Sequence, residues 1–139
     1  MDTSTVWIII FLVFFAILMS ILLRRKENYQ IAKDPESKDM FERLKSDLAK
    51  LYPIDKLDLN GLVSCIPEDS FTENKKHVAI CLRRKEGDFL PYPKLLKIGI
   101  HELAHVMSKG YDPEHKTPEF NNNYAMLMKK ASDLGFRVE

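Results

Sequence analysis

Cysteine is scarce in this 139-residue chain: there are two, Cys65 and Cys81. Two thiols are too few for a disulfide framework, and they lack the C-x-x-C spacing of redox motifs. They are expected to be plain strand residues packed as small hydrophobes, in keeping with a reducing compartment. Neither sign of charge is in excess: 21 basic residues face 20 acidic ones, a formal charge of +1. That removes the basic surface expected of a nucleic-acid-binding domain, so no nucleic acid is expected as a partner. No internal repeat or low-complexity tract is visible, and the length leaves room for one domain. The marks of a cleavable signal peptide are also missing. Asp2 precedes the first apolar run, basic residues follow it, and no Ala-x-Ala site is present.

That apolar run, VWIIIFLVFFAILMSILL from Val6 to Leu23, has no charge and Ser20 as its one polar residue. It is close to the roughly 20 residues that span a bilayer as a helix. The run therefore reads as an uncleaved membrane anchor (6–23) within an N-terminal segment 1–23, with membrane lipid as its partner. Arg24-Arg25-Lys26 follow directly. Basic residues beside a span tend to stay on the cytoplasmic side, so a single-pass protein with its C-terminal domain facing the cytoplasm is expected.

Residues 24–36 are polar and without apolar period, as in a juxtamembrane linker, and a folded domain is expected over 37–139. Asp34 or Ser37 can cap a helix in which Pro35 suits the first turn. Phe41, Leu44, Leu48 and Leu51 give it one apolar face, and Pro53 ends it. Asn60-Gly61 lies between apolar alternations as a hairpin-type turn signal. PEDSFTENKK reads as a polar loop, and HVAICLR (His77 to Arg83) as a second strand. A helix is expected from near Pro93 to about Ser108. Another starts at Thr117-Pro118, with Phe120, Tyr124, Leu127, Ala131 and Leu134 on one face and Gly135 as terminator. The fold class is α+β: an N-terminal transmembrane helix, then a small domain of helix, small sheet, motif helix and C-terminal helix.

The motif is KIGIHELAHVMSKG. On a helix His101 and His105 lie one turn apart on the same face, so both imidazoles can reach one cation. Leu96, Ile100, Leu103 and Met107 fall on a roughly opposite stripe that packs the helix down. Glu102 is offset around the helix, poorly placed as a ligand but able to act on a metal-activated water as general base. Zinc needs a third protein ligand and an open position. The metzincin pattern would require a glycine and then a histidine at three-residue intervals after His105, where the chain has Ser108 and Tyr111. It offers His115 instead. Gly110 can end the helix in a left-handed conformation, and Asp112-Pro113 turns the chain back. Glu119 is the rival ligand, with the alternative of a first-turn acid favoured by the helix dipole. His77 reads as a strand-end residue that could also contact substrate.

HELAHVMS, then HKTPEF, then a helix with LMKKASDLG, resembles the WLM and SprT-like group of zinc peptidases. There a histidine after the H-E-x-x-H helix, followed by an aromatic, supplies the third ligand. The chain is more similar still to small predicted metallopeptidases encoded by large DNA viruses. In those, an NKK…I.LCLR strand precedes the motif helix and H-T-P-x-F begins the last one. Here Asn74-Lys75-Lys76, Ile80-Cys81-Leu82-Arg83, His115, Thr117, Pro118 and Phe120 stand in that pattern, with Lys116 as an added residue after the histidine. The likeness covers roughly Leu59 to Gly135 and leaves out the anchor. It implies a zincin-like domain with Zn²⁺ on His101, His105 and His115.

The expected function is thus a membrane-anchored, zinc-dependent metallopeptidase acting on a peptide or protein substrate, with Glu102 as general base. Tyr111 and Tyr124 are candidate oxyanion donors, each with a packing role as the alternative. The strand HVAICLRR would pair with an extended substrate if it lay at a sheet edge. A non-catalytic, zinc-braced, membrane-tethered structural or virion protein is the competing class. A repair peptidase acting on DNA-bound protein is disfavoured by the anchor and the balanced charge.

Overall fold

Each helix begins where the sequence places a cap or a proline. The computed structural model describes residues 1–27, 30–110 and 115–138. They divide into two compact units, Met1–Gln30 and Ile31–Glu139. The first unit is α1 (Thr3–Glu27), apolar all round over Thr3–Leu22, where no side chain is buried. Its length and composition suffice to cross a membrane, and a signal sequence would pass the same test.

In the second unit α2 (Pro35–Ala49) is capped by Asp34, whose Oδ2 accepts from Ser37 N at 3.1 Å. Leu44, Leu48 and Leu51 are buried, as their spacing requires. The sheet follows: β1 (Gln30–Ile31), β2 (Asp58–Val63), β3 (Phe71–Glu73) and β4 (His77–Cys81), in the order β1-β2-β4-β3. β2 and β4 run parallel, from Asp58↔His77 to Leu62↔Cys81, and β3 joins β4 antiparallel. Within the residues expected to be linker, Gln30–Ile31 therefore form a strand and α2 already begins at Pro35.

Several local expectations are overturned. Asn60-Gly61 is not a turn but the middle of β2. Its glycine answers to close packing, because a Cβ there would meet Leu82 Cδ1 at 2.6 Å. The hairpin falls in the expected loop instead. Asn74 and Lys75, at φ +53° and +57°, turn β3 into β4, with Lys76 N donating to Glu73 O at 3.1 Å. These are the left-handed dihedrals a primed turn needs. The HVAIC strand is internal, between β2 and β3, so it offers no free edge; β3 does.

The cysteines are not free thiols. Cys65 and Cys81 form a disulfide, with S–S 2.12 Å and Cα–Cα 5.9 Å. The parallel register sets this up, since Cys81 ends β4 beside Leu62 and Cys65 lies just past β2. Both are buried, so their packing role stands, but the argument for a reducing compartment falls.

α3 (Tyr92–Met107) buries Leu96, Ile100 and Leu103 into the core, together with Leu95, Gly99 and Ala104, and leaves Met107 half-buried. Gly99 lets α3 approach α2; a Cβ there would lie 2.9 Å from Leu48 Cδ1. α4 (Pro118–Asp133) buries Phe120, Leu127 and Ala131, and its cap Thr117 accepts from Phe120 N at 3.4 Å. Leu134 is exposed, and Gly135 terminates the helix at φ +82°.

Candidate metal centre and its cleft

α3 brings His101 and His105 to the same side, one turn apart, with ring centroids 5.0 Å from each other. His115 arrives ahead of α4 in a left-handed conformation, φ +56°, and its ring lies 4.6 Å from His101 and 4.7 Å from His105. One ligand atom from each of the three histidines falls within 4.8 Å of the others. His105 Nε2 and His115 Nε2 are 2.8 Å apart. Metal–nitrogen distances are about 2.0–2.1 Å, so small ring rotations close this set on one cation. The donor chemistry fits a borderline transition metal, since neutral imidazoles suit zinc, copper, iron and nickel alike. Burial, and then the neighbouring His115, hold the His101 imidazole below its usual pKa. That favours the neutral, lone-pair-bearing ring that ligation requires.

Behind the histidines stands Phe120, almost fully buried, with its ring 5.2, 4.5 and 4.8 Å from His101, His105 and His115. The first turn of α4 thus forms a wall that limits how far the three rings can move. Tyr124, one turn on, packs on Phe120 and lines the cleft. Its half-buried phenol is raised above the usual pKa by desolvation.

Glu102 is the buried acid of the site, 5 % exposed. Thr72 Oγ1 donates to Glu102 Oε2 at 2.6 Å and also lies 3.2 Å from Glu102 O. Desolvation raises the carboxyl above the usual glutamate pKa, and the Thr72 hydrogen bond partly opposes the rise. No cation pairs with it among the described residues.

The end of α3 differs from expectation. Gly110 is not left-handed; Ser108, buried and extended at ψ 131°, ends the helix. Ser108 Oγ donates to Ala104 O at 2.7 Å and accepts from Asn123 Nδ2 at 3.2 Å, which ties α3 to α4. Lys75 Nζ donates to His105 O at 2.9 Å and Gly110 O at 3.0 Å, placing a cation at the negative end of the helix. Glu119 stands outside the histidine cluster, and its Oε1 accepts from Lys109 N at 2.8 Å. His77 is also elsewhere, paired with Asp58 Oδ2 at 3.0 Å. Tyr111 and Asp112-Pro113 lie outside the described residues. Thr72, and the contact of Lys75 with the end of α3, escaped the sequence reading because both sit 30 residues from their partners. The one local sign was Asn74 at a turn position.

The three histidines and Glu102 floor a cleft of about 940 Å³, walled by β3 and also lined by Lys75 and Tyr124. Fold and site together define a small α+β domain with three clustered imidazoles beside a buried carboxyl, in a chain that also has an N-terminal apolar helix. The chain is similar to Uncharacterized protein 136R of Invertebrate iridescent virus 6. The two are 27 % identical over 137 residues, covering 85 % of this chain and 75 % of that protein. No protein-family model and no solved structure matches the chain.

Proposed function

We propose that the chain is a membrane-anchored metallopeptidase of the H-E-x-x-H class, with a zincin-like domain and zinc as its metal. His101, His105 and His115 would hold the ion. The observation that carries the reading is Glu102, a buried carboxyl with no cationic partner among the described residues, on the floor of a cleft beside three convergent imidazoles. A purely structural metal site has no use for such a base. When bound, a divalent cation supplies polarisation of a carbonyl and acidification of water. Glu102 takes the proton of the attacking water and returns it to the leaving amine, and its raised pKa suits both halves of that task. Thr72 holds the carboxyl in place. The edge strand β3 offers its outer side to an extended peptide, and the phenol of Tyr124 is within the cleft to donate to a developing oxyanion.

A structural, zinc-braced virion or scaffold protein is the second reading. It is favoured by His115, which would let a metal tie the start of α4 to α3. The test is Glu102→Gln in the full-length chain, assayed for zinc content and for cleavage of mixed peptide libraries. Unchanged zinc with cleavage reduced at least ~10²-fold supports the peptidase. A wild type that cleaves nothing, with a fourth protein ligand on the metal, supports the brace.

The anchor reading carries a choice of side. Arg24-Arg25-Lys26 argue for a cytoplasmic domain. The Cys65–Cys81 bridge argues for an oxidising compartment. The bridge is built into the buried core whereas the basic rule is a bias, so we favour the oxidising side.

A further inference from the structure

The two ends of the cleft carry the same formal charge, two lysines and one glutamate each, but differ in how the lysines are engaged. Beyond His105, Lys109 shares the cleft with Glu73, and Lys75 is committed to the carbonyls of His105 and Gly110. Ahead of His101, Lys94 and Lys97 both line the cleft and neither ammonium is hydrogen-bonded or ion-paired among the described residues. One carboxylate, Glu68 on the segment before β3, also lines the cleft, exposed and without a partner among the described residues. The position is electrostatically unfavourable for the helix itself. Lys94 sits in the first turn of α3, which has no acidic residue and no side-chain cap, so it adds to the partial positive charge of the helix N-terminus. Two cations on the cleft side of α3, unpaired among the described residues and one of them at the positive end of the helix, are a site for negative charge.

The direction of a bound peptide follows from the strands. Thr72 meets Glu102 and Lys75 meets His105, so β3 and α3 run the same way. A peptide that pairs antiparallel with the outer edge of β3 therefore lays its C-terminal half over Lys97 and Lys94. These lysines stand four and seven residues before His101. At about 1.5 Å per helical residue that is roughly 6 and 10 Å. An extended chain covers about 3.3 Å per residue, so the distances correspond to about two and three peptide residues.

We propose that the cleft takes peptides with acidic side chains at about the second and third residues after the bond to be cut, held by Lys94 and Lys97. This rests on the peptidase reading of the site. Binding and cleavage are therefore read separately. The full-length, zinc-loaded Glu102→Gln chain in nanodiscs captures peptides from a randomised decapeptide library, and the captured pool is sequenced. Asp and Glu should be enriched on the order of 5-fold at each position, in line with the upper range for an exposed ion pair, and the enrichment should vanish at 1 M salt. Adding Lys94→Glu and Lys97→Glu should turn the preference to Lys and Arg, a result that a misfolded variant cannot give. Capture at the composition of the input, or no capture, overturns the proposal. The wild type is then given the same library. If it cuts none of the acid-enriched peptides, the peptidase reading fails and the acidic-peptide site stands. If it cuts peptides regardless of acid content, the peptidase stands and the acidic site falls.

Discussion

Among single residues, His115 does the least expected thing. It is a non-glycine residue held at φ +56°, a conformation that L side chains seldom adopt. Asn121 Nδ2 approaches its carbonyl at 3.4 Å, and its ring packs edge-on or tilted among His101, His105 and Phe120. A backbone so placed aims the imidazole at the other two, whereas Glu119 is engaged by the backbone of Lys109. His115→Ala should therefore weaken zinc binding by more than the ~10–100-fold typical of losing an outer-shell partner, and Glu119→Gln should leave it nearly unchanged. Competition with a chromogenic chelator measures both. The reverse ranking would move the third ligand to Glu119. His101, Glu102 and His105 were legible because a helix fixes what lies one turn apart. Thr72 was not, because its meeting with Glu102 depends on a hairpin made by two left-handed residues, Asn74 and Lys75.

Between elements, glycine sets how closely β2 and α3 pack against their neighbours. Gly61 was read as a turn because Asn-Gly is the strongest short hairpin signal, yet β2 runs straight through it. Periodicity cannot distinguish a turn glycine from one that lets a side chain lie on the strand. Here Leu82, fully buried, occupies the space, with Phe41 beside it at 3.3 Å from an added Cβ. Gly61→Ala should cost about 1–3 kcal/mol, the usual penalty of overpacking a filled core. Gly110→Ala is the control: among the described residues nothing lies within 4 Å of its added Cβ and its φ is not positive, so its change should stay within about 0.5 kcal/mol. Chemical denaturation of both variants reads the difference. Equal, small effects would mean that Leu82 can swing aside and that the β2 packing is looser than the distances imply. The helices were read from sequence more fully than the sheet. Asp34, Pro35, Thr117, Pro118 and Gly135 each act locally, whereas parallel pairing of β2 with β4 joins residues 19 apart, as in Asp58↔His77.

At the scale of the molecule, two features bear on where the domain works, and they disagree. The apolar helix and its following basic cluster were plain in the sequence. The Cys65–Cys81 bridge was not, because nothing local marks two cysteines 16 residues apart as partners until the strands are in register. The bridge spans the segment that carries β3, Thr72 and Lys75, the wall of the cleft opposite α3. Closing a loop of that length contributes about 3 kcal/mol in the chain-entropy account. A domain that depends on such a bridge is best suited to a compartment where thiols oxidise. An acceptor Asn-x-Thr tripeptide appended after Glu139 should then be glycosylated when the full-length chain is expressed in eukaryotic cells. Thiol trapping before lysis should find Cys65 and Cys81 protected from alkylation. An unglycosylated acceptor with both cysteines alkylated would place the domain in the cytoplasm, as Arg24-Arg25-Lys26 suggest, and would make the bridge a product of lysis. An unglycosylated acceptor with both cysteines protected would mean that the bridge forms on the cytoplasmic side, which requires a dedicated thiol oxidant there.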